Sequence, residues 1–332
     1  MILKNNKAIL LNALFFTTLV VLIIYDLTLG SLSIDFGHVW NSLFSHDVTQ
    51  KEEVMVRIFR IPRVMTALLL GVALSVSGLL MQTLFQNPLA GPYVLGINSG
   101  ASLLVAISTM TGFTLFQYDF GTVGAAFLGA LLTGLFILLC AIYVRTKVSL
   151  LLIGIMFGSF VGALVNVLQS YSHPEDLKLF MLWSFGSLQN VQLEELWLFS
   201  GTVMVGLILA IFLVKPLNAL VLGEKEAGLL GVRVRLVRFL IILATALLTG
   251  VSTAFCGPVA FVGLIVPNVV KLLYRTQNHF TLLVGSLLFG GILVVMCDII
   301  MQLVHPFVHL PLNALTALMG APIVVWIILK RF

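Results

Sequence analysis

Residues 62–84 read PRVMTALLLGVALSVSGLLMQTL, and no charged side chain follows Arg63 anywhere in that run. An apolar stretch of this length crosses the hydrocarbon core of a bilayer as one helix, which takes about 20 residues. Runs of the same character lie on either side, at 8–29, 93–111, 120–143, 149–170, 195–214, 236–255, 258–273, 280–301 and 312–329. Of the 332 residues 60% are hydrophobic and only 9% are charged, against about 25% charged in an ordinary soluble domain. A water-soluble globule is excluded. The polar segments between the runs are too short for a separate catalytic domain of roughly 100 residues. The expected fold is an all-α membrane protein of about ten transmembrane helices, forming a single transmembrane domain over residues 1–332.

The first run is too long for the apolar core of a cleaved leader and has no clear small-residue cleavage site, so it is expected to be retained as a span. The runs at 93–111 and 258–273 are short and adjoin Asn87-Pro88, Gly91-Pro92 and Gly257-Pro258. Such places are where helices break around a cavity, because loose backbone polar groups cannot face lipid. Gly154, Gly158 and Gly162 form a small-residue ladder suited to close helix packing. Cys140, Cys256 and Cys297 sit inside apolar runs without paired spacing and read as small core residues. Among the histidines only His305 and His309 have a helix-face spacing, interrupted by Pro306 and Pro311, so no metal site is expected.

The charges are sorted by side. With ten spans and both termini in the cytoplasm, thirteen of the eighteen Lys and Arg residues fall on the inner face, opposed only by Glu224 and Glu226. These thirteen include Lys4, Lys7, Arg145, Lys147 and Arg238. The outer face holds ten acids, among them Asp26, Asp47 and Asp119, against five bases. That bias is the signature by which topology is set. Arg57, Arg60 and Arg63 break it, standing at spacing three on the outer mouth of the second span. Snorkelling to lipid phosphates, or pairing with Glu52 and Glu53, is one explanation. A docking point for an acidic partner is the favoured one, since Arg offers a planar and permanently charged fork to carboxylates.

The largest inner loop, 215–235, carries a short helix candidate from Glu224 to Leu230 with Gly231 as its stop. It is longer than a plain helix connection and reads as a docking device for a soluble motor. The chain cannot be that motor by the usual route, because it contains no Gly-Lys dipeptide and hence no phosphate-binding Gly-Lys-Ser/Thr loop. No triad or paired-carboxylate site is present either, Asp298 being the only acid expected inside a span. The chain is expected not to be an enzyme.

The ordered set Arg60-Ile61-Pro62-Arg63, Gly71 to Gly78, Gln82, Asn87 to Gly96 and Ser99-Gly100-Ala101 resembles the permease subunits of FecCD-type ABC importers. So do Leu222-Gly223-Glu224 with Ala227 and Leu230-Gly231-Val232, Gly257-Pro258 with Phe261 to Ile265 and Pro267, Asp298, Leu310-Pro311, and Gly320-Ala321-Pro322. The resemblance implies a type II importer fold in the bacterial inner membrane, multi-pass and homodimeric, with the path between two copies. It implies two ATP-binding subunits docking through Leu222, Gly223, Glu224, Ala227, Leu230, Gly231 and Val232, and a substrate-binding protein received by Arg60 and Arg63. ATP and Mg would be held by the partner, with no cofactor in this chain and no nucleic acid. The pattern departs from the family at Pro267-Asn268, at Lys271, at His309-Leu310-Pro311-Leu312-Asn313, and at Met301-Gln302, where an arginine after Asp298 is absent. Arg57 is the candidate to replace that third basic contact.

Alternating access driven by the partner ATPase is the expected mechanism. Met81, Gln82, Asn87, Pro88, Thr146 and Lys147 are the candidate path and gate residues, and Asp298 is expected to tie helices together. The expected cargo is an iron-siderophore, with haem or vitamin B12 as alternatives and an ion-coupled carrier using Asp298 as the rival class.

Overall fold

A bilayer offers no partner for a backbone N–H or C=O, so apolar runs of this density must close their hydrogen bonds within helices. A computed structural model of the chain describes residues 2–30, 34–44, 50–112, 121–144, 146–305 and 307–331, and among them there is no strand. His46, Asp47, Asp119, Arg145 and Pro306 lie outside the described residues, as does the side chain of Lys4. In chain order the helices are α1 (Ile2–Thr28), α2 (Phe36–Phe44), α3 (Lys51–Met55), α4 (Ile61–Phe85), α5 (Ile97–Met110) and α6 (Gly121–Tyr143). Then follow α7 (Lys147–Tyr171), α8 (Pro174–Ser184), α9 (Leu196–Phe212), α10 (Val214–Leu220) and α11 (Glu224–Leu229). The last four are α12 (Val234–Cys256), α13 (Val262–Tyr274), α14 (His279–Val304) and α15 (Leu312–Arg331).

Six helices among the described residues are long and apolar enough to cross a membrane, and α9 with α10 make a further candidate bent by 52°. The apolar helices α5, α13 and the part of α15 from Leu312 to Ile327 are shorter. The run at 62–84 belongs to a continuous helix of 35 residues, Lys51–Phe85. A π turn at Val56–Arg60 joins α3 to α4 within it, and such a turn re-aims side chains that an unbroken α-helix would stack.

The centre of the bundle is α4, which is buried at most positions from Val64 onward and at every position from Ala73 to Leu84. Lipid is as apolar as a neighbouring helix, so burial alone does not drive this packing; small residues that let backbones touch do. A methyl group on Gly71 would collide with the Gly290 carbonyl of α14, and one on Gly78 with the Gly263 carbonyl of α13. Ser75 adds a hydrogen bond from its hydroxyl to the Ser286 carbonyl at 2.8 Å. Of the ladder on α7, a methyl group on Gly154 would meet the backbone of Val94 and Leu95, one on Gly158 the Ser99 hydroxyl, and one on Gly162 nothing outside its own helix within 4 Å. The peripheral helices expose large apolar side chains such as Leu10, Phe16, Phe160 and Phe212, as lipid-facing surfaces do.

Two breaks interrupt the bundle at the Pro and Gly clusters. After α4 the chain turns at Gln86, which is left-handed at φ +49°, and passes a 3-10 turn at Pro92–Leu95 before α5. After α12 it turns through Gly257 and Phe261, the latter at φ +68°, before α13. The freed backbone groups are satisfied by side chains: Val259 N–H donates to the Tyr93 hydroxyl at 3.2 Å and Ala260 N–H to Asn313 Oδ1 at 3.0 Å. The Cys256 carbonyl accepts from Ser187 N–H at 2.9 Å. Asn313 is one of the positions where the sequence departs from the family pattern, and this bond is what its amide supplies.

Candidate functional site

The site has two ends. At the first, the three arginines of the long helix diverge onto three different elements. Arg57 Nε donates to the Ser42 carbonyl of α2 at 2.8 Å, and Arg60, which is buried, donates from Nη1 to the Leu27 carbonyl of α1 at 2.9 Å. Arg63 grips the fully buried Asp298 of α14 side-on, with Nε at 2.8 and 3.0 Å from the two oxygens and Nη2 at 2.6 Å from Oδ1. Spacing three places such residues on adjoining parts of one face; the π turn and the pull of three separate acceptors spread them instead. A cavity of about 550 Å³ opens here, lined by Asp26, Arg60, Arg63, Gln189, Gln302 and His305 among others.

Asp298 is not the only acid inside a span. Asp26, grouped above with the outer-face charges, belongs to α1 and is buried, with its Oδ1 accepting a hydrogen bond from Gln302 Nε2. Gln302 also donates to Asp298 Oδ2 at 3.1 Å, so it bridges the two carboxylates from the Met301-Gln302 stretch, where this chain lacks the arginine of the family pattern. The legible signal was its placement four residues after Asp298, on the same helix face. His305 and His309 stand with ring centroids 4.3 Å apart; His305 lines this cavity, and both line a neighbouring one of about 230 Å³. Among the described residues no three His, Cys, Asp or Glu side chains gather as metal ligands.

The second end is built around α11, one residue shorter than the expected helix. Gly223 enters it at φ +123° and Gly231 leaves it at φ +82°, two sparsely populated conformations that each cost an L side chain about 1–3 kcal/mol. Gly231 N–H donates to the Gly228 carbonyl and Val232 N–H to the Ala227 carbonyl, each at 3.0 Å, the paired bonds of a Schellman stop. Ala227 is fully buried against the bundle, whereas Leu222, Leu229 and Leu230 project, Leu229 at 90% exposure. At the base of the helix, Glu224 Oε1 receives Arg238 Nη2 of α12 at 3.0 Å and lies 3.7 Å from Lys147 Nζ of α7. Arg238 Nη1 also reaches the Val144 carbonyl after α6 at 3.3 Å. Arg238 was not singled out in the sequence, where it is one of many inner basic residues.

The candidate path residues divide between three places. Lys147 belongs with α11, and Thr146 caps α7 by accepting Ser149 N–H at 3.0 Å. Met81 is fully buried in the packed core. Gln82, Asn87 and Pro88 line a cavity of about 650 Å³ together with Thr83, Lys271, Arg275 and His279. There Gln82 Oε1 accepts from Lys271 Nζ at 2.9 Å and its amide donates to the Leu264 carbonyl at 3.2 Å. The Pro88 carbonyl accepts from Asn268 Nδ2 at 2.8 Å. Asn268 and Lys271 are again departures from the family pattern, and both bond to this stretch.

The FecCD transport family matches residues 18–330. The hemin transport system permease protein HmuU of Yersinia pestis is 35% identical over 319 residues, covering 94% of this chain and 93% of that protein. The vitamin B12 import system permease protein BtuC of Salmonella typhi is 35% identical over 284 residues, covering 85% and 86%. A solved structure described as an inward-facing conformation of a metal-chelate type ABC transporter superposes with a TM-score of 0.84 at 28% identity, covering 96% of this chain and 98% of that one. The family match over nearly the whole chain and the similarity to these permeases settle the assignment: the chain belongs to the FecCD transport family.

Proposed function

We propose that this chain is the membrane-spanning permease subunit of a binding-protein-dependent ABC importer whose cargo is an iron-siderophore. The observation that carries the reading is α11, a short helix with projecting leucines whose base is braced by Glu224 against Lys147 and Arg238. It is a lever without chemistry of its own. In this reading two copies form the path between them, and two ATP-binding subunits press on residues Leu222 to Val232. A substrate-binding protein docks at the opposite face, around Arg57, Arg60 and Arg63. The excess of Lys and Arg on the α11 side supports placing that side and both termini in the cytoplasm of a bacterium, with the chain in its inner membrane. Nucleotide binding by the partner closes the ATPase pair, moves α11, and shifts the bundle between two packings, each open to one side.

The similarity to the vitamin B12 and hemin permeases by name, and to the metal-chelate type structure, supports a metal chelate as the substrate class. Haem is the second reading, favoured by the match to the hemin permease over nearly the whole chain. The test is reconstitution with the cognate ATPase and binding protein, followed by uptake of ferric siderophore, haem and cobalamin side by side. ATP-dependent uptake of ferric siderophore is expected. Uptake of haem alone would replace the cargo, and gradient-driven uptake by this chain without partners would overturn the permease reading.

A further inference from the structure

We propose that His279 is the positioning residue that carries displacement of α10 and α11 to the end of α4, where the 650 Å³ cavity opens. The inference rests on the coupling role proposed above for α11 and names the joint through which that role acts.

His279 is the first residue of α14 and is 2% exposed. Its backbone N–H donates to Asn218 Oδ1 of α10 at 2.8 Å, and its ring Nδ1 lies 2.9 Å from the same oxygen. Because that Asn218 atom accepts the backbone bond it is the amide oxygen, so Nδ1 carries a proton and donates to it. Nε2 is then the acceptor of the neutral ring, and it lies 2.9 Å from the Thr83 hydroxyl of α4, whose single proton it shares with the Leu79 carbonyl, also at 2.9 Å. One imidazole thus joins three helices. A second tie runs in parallel, from Gln86 Nε2 of α4 to the Leu220 carbonyl at the end of α10 at 3.0 Å.

The mechanical argument follows from these lengths. Because α10 is bent by 52° from α9, it can swing with α11 without dragging a whole span. Packed helices shift by about 1–2 Å in such transitions, and a 2.9 Å hydrogen bond does not survive that displacement unless its partner follows. Thr83 and Gln82 are neighbours, and Thr83, Gln82, Asn87 and His279 all line the cavity. The residues that fasten α4 to α10 are therefore the residues that wall the mouth.

Phenylalanine keeps a planar ring, somewhat larger, with no hydrogen-bonding atom, whereas glutamine keeps polar atoms in a side chain of similar reach, so the pair of replacements separates filling from bonding. The test uses the complete complex of permease, ATPase and binding protein in proteoliposomes, loaded with whichever chelate the wild type takes up. It measures substrate transported per ATP hydrolysed, alongside the amount of ATPase that co-purifies. His279→Phe is expected to assemble normally and to lower the transport per ATP by about tenfold, the size expected for two lost hydrogen bonds. His279→Gln, which can both donate and accept, is expected to stay within about threefold of wild type. Thr83→Val, which removes one bond, should fall between them. A wild-type transport-to-ATP ratio in His279→Phe overturns the inference while leaving the permease reading intact. Failure of the wild-type complex to show any ATP-dependent uptake overturns both.

Discussion

Arg63 and Asp298 lie 235 positions apart in the chain and meet as a side-on ion pair that joins α4 to α14. Asp298 is fully buried, and Gln302 holds its second oxygen. Removing either partner leaves a charge without its counter-ion in a poorly solvated place, a change that typically costs 3–5 kcal/mol, or about that here. Asp298→Ala and Arg63→Ala are each expected to lower the Tm of the detergent-solubilised protein sharply. The double replacement Arg63→Met with Asp298→Leu should recover most of the loss. Additive losses in the double variant would show that the pair is not what holds these helices.

The brace at Glu224 is more exposed and correspondingly weaker. Glu224→Ala should cost about 1 kcal/mol or less of global stability, yet free α11 from α7 and α12. Limited proteolysis near Lys225 is the measurement, with faster cleavage expected in Glu224→Ala and Arg238→Ala than in wild type. Equal cleavage in all three would mean that the helix is held by Ala227 and its Gly231 stop alone.

Helix contact through glycine predicts a graded series. Gly78→Ala and Gly71→Ala place a methyl against a backbone carbonyl, and overpacking of this kind costs about 1–3 kcal/mol or more. Gly162→Ala meets open space and should be neutral or slightly stabilising, since alanine is the better helix former. Thermal unfolding of the three variants checks the order, and equal Tm values would contradict the packing described for α4.

Asn313→Gly removes the acceptor for Ala260 N–H in the break before α13. An orphaned donor in such a place costs about 1–3 kcal/mol. The expected result is a lower Tm together with faster hydrogen exchange at Ala260 and its neighbours. Unchanged exchange there would mean that another acceptor serves the break.

Much of this architecture is readable in the residues themselves. The helices, the interruptions at Asn87-Pro88 and Gly257-Pro258, and the stop at Gly231 follow from local physics, in which hydrophobic length, proline and positive φ act within a few residues. The charge bias is legible for the same reason, since it needs only a tally along the chain. The fate of the three arginines is not. Their spacing describes one face of a regular helix, whereas the π turn and the acceptors at Ser42, Leu27 and Asp298 send them apart. Asp26 was counted with the outer-face charges although the run at 8–29 contains it; only the approach of α14 shows it buried beside Gln302. His279 looks like any helix-end histidine until Asn218 and Thr83 arrive from other parts of the chain.

The sequence by itself determined that the protein lives in a bilayer as helices and where its long apolar runs and their Pro and Gly breaks lie, because hydrogen bonds along one segment and its transfer from water depend on that segment alone. The tertiary structure decided which polar groups meet: Arg63 with Asp298, Glu224 with Arg238, His279 with Asn218 and Thr83. In a helix that is apolar on nearly every side, no periodic stripe announces the face that turns inward. Rotation and register are set by the close approaches at Gly71, Gly78 and their partners, and only after those contacts form do the scattered polar side chains acquire their neighbours.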